Sequence, residues 1–204
     1  MYVGRIVVIG RTKGRSWVGY RVSSRSFPNR RAQVRGETVL VSPVNPKDLD
    51  RNPYIAYNCI RLAGKAAVVA NGTQADMIAE KIKDGTRPLD AIAFSLTAYG
   101  YERDELDTPR IAGVVMGDRG WLGIARKGEI RAKEFDLSGD SAFLVATYEK
   151  TEFEEVLVKG ESAGDMAKAA FDLVFERPVC SAAAFEDDDG FKFAVYNPEP
   201  EESC

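Results

Sequence analysis

The chain has 204 residues with 28 basic and 31 acidic side chains, a formal net charge of −3, and no histidine. This length fits one domain, and a pI near 5.3 argues against a typical nucleic-acid-binding protein. Without histidine, the chain itself cannot supply serine–histidine, cysteine–histidine or histidine–metal chemistry.

In chain order, apolar alternation and β-branched residues predict strands, and helical spacing with helix-start signals predicts helices. This order predicts an α+β fold with helices on the outer faces of antiparallel sheets, in one domain spanning 1–204 with a frayed tail at 197–204. The predicted elements are strands at 3–10, 16–23, 37–42, 54–61 and 65–70, helices at 73–83 and from residue 88, strands at 110–117, 120–126, 129–135, 142–148 and 153–159, a helix at 162–175, and strands at 179–186 and 190–196.

The cysteines and the apolar runs indicate where the protein is found. Cys59, Cys180 and Cys204 are odd in number and far apart, which predicts reduced thiols and a cytoplasmic location. No apolar run approaches the roughly 20 residues of a membrane span. The residues at 1–5 do not have the pattern of a secretory signal.

The segment at 21–31 is strongly basic and lies between two predicted strands. The first 36 residues contain nine Lys or Arg and no Asp or Glu. Guanidinium groups match phosphate oxygens, and serine hydroxyls add short-range donors, so the segment predicts an anion site. A solvated basic loop is the alternative. The candidate ligand-binding residues here are Arg21, Ser24, Arg25, Phe27, Asn29 and Arg30.

The segment at 51–61 is the second unusual stretch. In an extended strand Tyr57, Cys59 and Arg61 share one face, with Asn58 on the other. A phenol, a thiol and a guanidinium on one face are uncommon in a core and predict a catalytic site. The alternative is that Tyr57 and Cys59 pack in the core.

Two further positions are candidates for polar contacts. Asn71 and Gly72 end a strand and open a helix, where backbone N–H groups face an anion or carbonyl oxygen, although a simple turn and cap is the alternative. Glu102 follows two aromatic residues and is predicted to be partly desolvated, and Arg110 leads into the next strand.

The acidic turn at 186–190 is predicted to be a solvated hairpin tip. Its carboxylates lack the spacing of an EF-hand loop, and we predict no metal there.

Taken together, the segments resemble those of one known family. The segments are YRVSSRSFPNR (20–30), RNPYIAYNCIR (51–61), ANGT (70–73), YERDELDTPRIA (101–112) and AAAF (182–185), in the same order as in the archaeal-type IMP cyclohydrolase family. The resemblance implies closure of 5-formamidoimidazole-4-carboxamide ribonucleotide to inosine monophosphate (IMP) with release of water. It also implies a four-layer αββα sandwich like that of N-terminal-nucleophile hydrolases. The chain starts Met1-Tyr2, so the nucleophile of that superfamily is not expected here.

The resemblance leads to a site assignment. We assign proton transfer to Tyr57, Cys59 and Glu102. The ribose phosphate and base are assigned to the basic segment, and the formyl or base oxygens to Asn58, Asn71, Gly72 and Arg110. The reaction is neither redox nor energy-coupled, so no cofactor or metal is expected. The expected partners are a purine ribonucleotide and a second copy of the chain, without nucleic acid or membrane.

Two other functions stay open at this point. Arginines interleaved with aromatic residues in the N-terminal third suit a nucleic-acid-binding protein. The second is an amidohydrolase of the N-terminal-nucleophile type.

Overall fold

The computed structural model describes residues 1–199, which form two antiparallel sheets and three α-helices. The strands are β1 (Arg5–Thr12), β2 (Arg15–Ser23), β3 (Arg30–Arg35), β4 (Thr38–Pro43), β5 (Tyr57–Ala63), β6 (Ala66–Ala70), β7 (Arg110–Met116), β8 (Arg119–Arg126), β9 (Glu129–Asp136), β10 (Ala142–Ala146), β11 (Glu154–Glu155), β12 (Pro178–Asp187) and β13 (Gly190–Tyr196). The helices are α1 (Gln74–Lys83), α2 (Pro88–Tyr99) and α3 (Ala163–Asp172), with short 3-10 helices at Pro46–Asp50 and Pro53–Ile55.

The sheets have different connectivity. One has six strands in the order β11-β10-β1-β2-β12-β13, and the other has seven in the order β3-β4-β5-β6-β7-β8-β9. The seven-stranded sheet is a continuous meander, with α1 and α2 inserted between β6 and β7. In the six-stranded sheet the first two strands pair with each other and also with strands from late in the chain. Strand β1 pairs with β10, and β2 pairs with β12.

The two sheets and the three helices pack against one another through three apolar layers. A central core between the sheets contains Val7, Ile9 and Tyr20 from one sheet and Val69 and Leu122 from the other. A second layer packs α1 and α2 on the outer face of the seven-stranded sheet, and a third packs α3 on the outer face of the other sheet. Burying each large apolar side chain contributes about 1.5–3 kcal/mol, so the three layers hold the sheets and helices together.

The helix ends follow from local sequence. Pro88 begins α2, where its missing N–H costs nothing. Ser162 caps α3, because its Oγ accepts from the Asp165 backbone N–H at 3.1 Å. Gly85, at φ +90°, follows the end of α1 in a conformation that few other residues adopt.

The predicted α+β class and antiparallel sheets are confirmed, with differences in detail. The strand predicted from residue 54 begins at Tyr57, because Pro53–Ile55 form a 3-10 helix. Strand β3 lies inside the segment predicted as a connection, because Arg31, Gln33 and Arg35 make its pattern too polar to identify as an edge strand. The strand predicted at 153–159 pairs only at Glu154–Glu155. Helix α3 ends at Asp172, three residues before its predicted end.

The predicted tail is anchored at its first residue. The Asn197 side chain accepts from the Ala32 backbone N–H at 2.8 Å and donates to the Ala32 carbonyl at 3.0 Å. These two bonds hold Asn197 against β3 much as a strand partner would. Fraying of the tail after Asn197 stays a prediction. Residues 200–204, including Cys204, lie outside the described residues. Among residues 1–199, no helix has the length and apolar character needed to cross a membrane.

Candidate active site

A cavity of about 630 Å³ lies beside the start of β1 and the end of β2. Its walls come from five separate parts of the chain, which are Tyr2 and Arg5, the segment at 24–30, the turn at 51–55, the loop at 102–106, and Tyr148. Loops held by rigid strands are where binding groups are usually placed.

Glu102 is the most unusual group in the wall, because its carboxylate is buried to 1% exposure. Its Oε2 accepts from Arg5 Nη2 at 3.2 Å, while its Oε1 lies 3.8 Å from Arg110 Nη1. Within the described residues Oε1 has no hydrogen-bond partner. Burial raises the pKa of Glu102 from 4.5 to about 7, although Arg5 and Arg110 pull it back down. A carboxyl group with this pKa can both accept and return a proton near neutrality.

The loop that carries Glu102 is fixed at several points. The backbone N–H of Glu102 donates to the Thr108 carbonyl at 2.8 Å. The Asp104 carboxylate accepts from the backbone N–H groups of Leu106 and Thr108 and from the Thr108 hydroxyl. Thr108 Oγ1 also lies 2.6 Å from the hydroxyl of Tyr148, another residue that lines the cavity. These bonds hold the buried carboxylate at one place in the cavity.

The basic part of the wall contains Arg30, whose side chain is mostly buried. Its Nε donates to the Phe27 carbonyl at 3.1 Å, and its terminal nitrogens make no hydrogen bond within residues 1–199. Ser24 Oγ accepts from the Phe27 backbone N–H at 3.0 Å, and the Arg51 guanidinium lies 5.6 Å from the centre of the Phe27 ring. Two guanidinium groups and a serine at one wall suit an oxyanion such as phosphate.

Tyr57 lies in the inter-sheet core with 4% exposure, and it is not among the side chains that line the cavity. Its hydroxyl is 2.7 Å from that of Tyr20, which comes from the other sheet. Burial raises the pKa of Tyr57, and the charges of Arg30 and Arg5 lower it only in part. Burial likewise raises the pKa of Tyr20. Both phenols therefore stay protonated at neutral pH and act as donors.

The predicted shared face is confirmed for Tyr57 and Cys59 but is wrong for Arg61, because β5 contains a bulge. The register with β4 shifts between Ile60 and Asn58, so Cys59 has no partner. The bulge leaves Tyr57 and Cys59 in the inter-sheet core but turns Arg61 outward to Asp76 on α1.

Asn58 and Cys59 do not line the cavity. Asn58 donates to Asp76 on α1 at 2.9 Å, on the outer face of the sheet. Cys59 is fully buried among apolar side chains, and burial raises its pKa well above the usual value. A thiol in this environment stays protonated and is poorly suited to proton transfer.

Arg21 is placed on the opposite face of β2 from Tyr20, because neighbouring strand residues face opposite sides. Its guanidinium donates to the carbonyls of Phe171, Leu173 and Phe175, where the chain leaves α3. All of these acceptors belong to the α3 side of the sheet. Arg21 thus holds the end of α3 and does not line the cavity.

Arg25 and Asn29 lie in the loop between β2 and β3 but point elsewhere. Arg25 is mostly exposed, donates to Glu176 at 3.0 Å, and lies 4.3 Å from the centre of the Tyr2 ring. Asn29 is exposed, and its carbonyl accepts from the Val44 backbone N–H at 2.9 Å. Of the candidate residues in the basic segment, Ser24, Phe27 and Arg30 line the cavity, together with Ser26, which was not a candidate.

Asn71, Gly72 and Arg110 form a buried polar cluster that does not line the cavity, and Arg110 Nη1 lies 3.8 Å from Glu102 Oε1. Asn71 Nδ2 donates to the Pro109 carbonyl at 2.9 Å. Arg110 Nη1 donates to Gln74 Oε1 at 2.9 Å. A Cβ at Gly72 would lie only 2.4 Å from Arg110 Nη1, so glycine leaves the space that the guanidinium occupies.

Arg5, Gln74, Tyr54 and Tyr148 were not identified from the sequence. The sequence did indicate the direction of Arg5. It lies two residues before Val7 on β1 and so shares the strand face that is turned to the inter-sheet core. No local sequence pattern identifies Gln74, Tyr54 or Tyr148, since the position of each at the site depends on contacts with residues distant in the chain. Gln74 resembles any residue of a first helical turn.

A second depression of about 440 Å³ lies at the opposite end of β2, beside the acidic turn. Asp188 pairs there with Arg15 at 2.8 Å, and Asp188 is largely exposed. Among residues 1–199, no group of three or more His, Cys, Asp or Glu is arranged to hold a metal ion. The larger cavity, which contains the buried charges, is therefore the candidate active site.

Comparison with known proteins gives consistent matches. A family model described as IMP cyclohydrolase-like protein matches residues 2–190. A relative named IMP cyclohydrolase from Methanothrix thermoacetophila is 60% identical over 97% of this chain and 100% of the relative. One of the same name from Methanocella arvoryzae is 50% identical over 97% of this chain and 98% of the relative. A third, from Natronomonas pharaonis, is 44% identical over 98% of this chain and 100% of the relative.

Structural similarity is weaker. A crystal structure of a protein from Silicibacter pomeroyi matches 96% of this chain and 82% of that chain at 13% identity, with a TM-score of 0.37. A likeness at this level does not establish a common fold.

Proposed function

The chain belongs to the IMP cyclohydrolase family. We propose that the cavity is its active site, where the ring of 5-formamidoimidazole-4-carboxamide ribonucleotide is closed to give IMP with release of one water. The observation that carries the assignment of the site is Glu102, a buried carboxyl group with a pKa of about 7 and a free oxygen beside the cavity. The nucleotide-binding counterpart is the wall of Arg30, Ser24 and Arg51.

Ring closure requires little beyond positioning and proton transfer. The carboxamide nitrogen forms a bond to the formyl carbon, and the formyl oxygen takes up a proton. The carboxamide nitrogen gives up one of its two protons and keeps the other. The formamide nitrogen loses its proton as the C–O bond breaks, and the twice-protonated oxygen leaves as water. Both reacting groups belong to one molecule, so holding them in near-attack geometry supplies much of the acceleration.

We assign the proton transfers to Glu102. As a carboxylate it accepts a proton from the attacking nitrogen through Oε1, and as an acid it returns the proton to the departing oxygen. Arg5 holds the other oxygen at 3.2 Å, so the carboxyl group keeps one orientation through both steps.

We assign stabilisation of the developing oxyanion to Tyr57. The two hydroxyls are 2.7 Å apart, and the geometry allows either of them to donate. We assign the donor role to Tyr20, which leaves the Tyr57 O–H for the ligand. A protonated phenol in a buried site is an effective donor to an oxyanion, since no water competes for it.

We assign the ribose phosphate to Arg30, with Ser24 and Arg51 beside it. Replacing Arg30 by Ala should weaken binding of IMP roughly 10- to 150-fold, the usual cost of about 1.5–3 kcal/mol for a charge-assisted contact. Arg15→Ala is the matched control, because Arg15 pairs with Asp188 at the other end of β2. Calorimetry on folded protein measures both, and equal affinities for the two variants would remove Arg30 from the site.

Cys59 has no covalent role in this proposal. Cys59→Ala should keep turnover close to wild type and lower only the melting temperature, since it deletes a buried sulfur from the apolar core. Intact-mass spectra of the wild type during turnover should show no adduct. Loss of turnover in folded Cys59→Ala, or a trapped adduct in the wild type, would restore the thiol as a nucleophile.

The direct test of function uses the formylated ribonucleotide. Pure protein is incubated with it, the ultraviolet change is followed, and the product is identified by chromatography against authentic IMP. A protein-free sample and the Glu102→Gln variant serve as controls. Absence of IMP with folded wild-type protein would reject the proposal.

We further propose that the fold is of the N-terminal-nucleophile-hydrolase type. The layer order α1 and α2, seven-stranded sheet, six-stranded sheet, α3 supports it. The single-domain organisation, a homo-oligomeric state, the absence of a nucleic-acid partner and a cytoplasmic location stay predictions.

A further inference from the structure

Arg110 Nη1 lies between two competing acceptors. Gln74 Oε1 accepts from it at 2.9 Å, whereas Glu102 Oε1 is 3.8 Å away and outside hydrogen-bond distance. A carboxylate is the stronger acceptor for a guanidinium, so an unrestrained Arg110 would be expected to close on Glu102. Something in the surroundings therefore holds the guanidinium toward Gln74.

The side-chain amide of Gln74 cannot turn away, because both of its hydrogens are committed. Nε2 donates to Asn71 Oδ1 at 2.9 Å and to the Ile111 carbonyl at 3.2 Å. Asn71 is itself oriented, since its Oδ1 accepts from the Ile111 backbone N–H at 2.7 Å and its Nδ2 donates to the Pro109 carbonyl. The backbone of β7 thus fixes Asn71, Asn71 fixes Gln74, and Gln74 presents its oxygen to Arg110.

The space around Arg110 supports the same arrangement. Gly72 has no Cβ, and one built there would lie 2.4 Å from Arg110 Nη1 and 2.6 Å from Gln74 Oε1. The guanidinium also lies 5.7 Å from the centre of the Tyr54 ring and 5.4 Å from that of Tyr99. Its Nε is buried with no hydrogen-bond partner among residues 1–199, so the Gln74 contact matters more for its position.

We propose that Gln74 is a positioning residue that holds Arg110 just short of hydrogen-bonding Glu102, so that Oε1 of Glu102 stays free for the ligand. This inference rests on the proposed function for the use made of Oε1, but the contacts themselves do not depend on it. The polar side chain of Gln74 is fully buried and does not line the cavity, and its effect passes through Arg110.

Removing the Gln74 oxygen should let the ion pair form. Gln74→Met keeps the length of the side chain and deletes the acceptor, so Arg110 should move onto Glu102 Oε1. The other charges that face Glu102 are Arg5 on β1, Arg30 on β3 and Asp104 in its own loop, and all of them are unchanged. An opposite charge at hydrogen-bond distance lowers a carboxyl pKa by about 1–3 units.

The experiment follows Glu102 ionisation directly, by carbon NMR of protein labelled at the glutamate side-chain carboxyl. Loss of one resonance in Glu102→Gln assigns it. We expect a midpoint of about 7 in the wild type and a midpoint about 1–3 units lower in Gln74→Met. Gln33→Met, the same change at the other glutamine of the chain, should match the wild type.

Turnover provides the second readout. In Gln74→Met, kcat should fall with little change in KM, because Oε1 is occupied while the ligand wall is intact. Gln74→Glu offers an acceptor to Arg110 in either protonation state and should leave the Glu102 midpoint at or above the wild-type value.

An unchanged or raised midpoint in folded Gln74→Met would overturn the inference. If Gln74→Met does not fold, Gln74→Glu still tests the inference. A Glu102 midpoint below the wild-type value in Gln74→Glu would contradict the role of an acceptor at position 74. The NMR result is independent of turnover. A wild-type protein that makes no IMP therefore rejects the function, and an unshifted midpoint rejects the positioning role.

Discussion

Glu102→Gln should lower kcat about 10²- to 10⁴-fold while KM changes little, as expected when a general acid–base group is removed without changing its shape. The pH dependence should change with it. If Glu102 must be ionised to accept the first proton, wild-type kcat rises with pH through about 7, the pKa of the buried carboxyl. The residual activity of the variant should lack this limb.

Glu80→Gln is the matched control for this change. Glu80 is an exposed carboxylate on α1 that pairs with Arg61, outside the cavity. It should retain wild-type kcat and the limb near pH 7. Wild-type kcat in folded Glu102→Gln would leave catalysis to the arginines and Tyr57.

The raised pKa of Glu102 also affects stability, in a direction that can be checked independently. The folded pKa of about 7 lies above the ordinary value of 4.5, so the folded state holds this proton more tightly than the unfolded state. The resulting contribution is fully present below about pH 4.5 and is lost as pH rises through 7, with a size of about 3 kcal/mol. Denaturant titrations should show this pH dependence weakened in Glu102→Gln.

Tyr57→Phe should lower kcat about 10²- to 10³-fold, the usual effect of losing one donor to an oxyanion. The ring keeps its place between the sheets, and only the hydroxyl that pairs with Tyr20 at 2.7 Å is lost. The measurement is steady-state kinetics with the formylated ribonucleotide, beside a melting curve for each variant.

Tyr20→Phe distinguishes donation to the ligand from packing. It deletes the other half of the same hydrogen bond, from a side chain with no exposure. If Tyr57 is the donor, Tyr20→Phe should cost much less in kcat, although both variants leave one buried hydroxyl without its partner. Equal, small losses in the two variants would mean that the pair is structural.

Part of the site was predictable because the signals are local. Ser24, Phe27 and Arg30 lie within a few residues of each other on one loop, and all three reach the cavity. Glu102 was identified from its aromatic neighbours in sequence, and its burial is confirmed at 1% exposure. The face of Arg61 could not be predicted, because a bulge in β5 depends on pairing with β4, which sequence alternation does not show.

The sequence alone determined the order of most strands and helices, the α+β class and the family, because periodicity and motif segments are properties of neighbouring residues. Only the tertiary structure decided how those segments meet. Arg5 reaches Glu102 across 97 residues of chain, and Arg110 reaches Gln74 across 36. Arg21, equally basic, lies on the other face of β2 and binds the end of α3. Which arginine faces the carboxylate depends on strand register and sheet packing, and those are set by contacts between residues far apart in the chain.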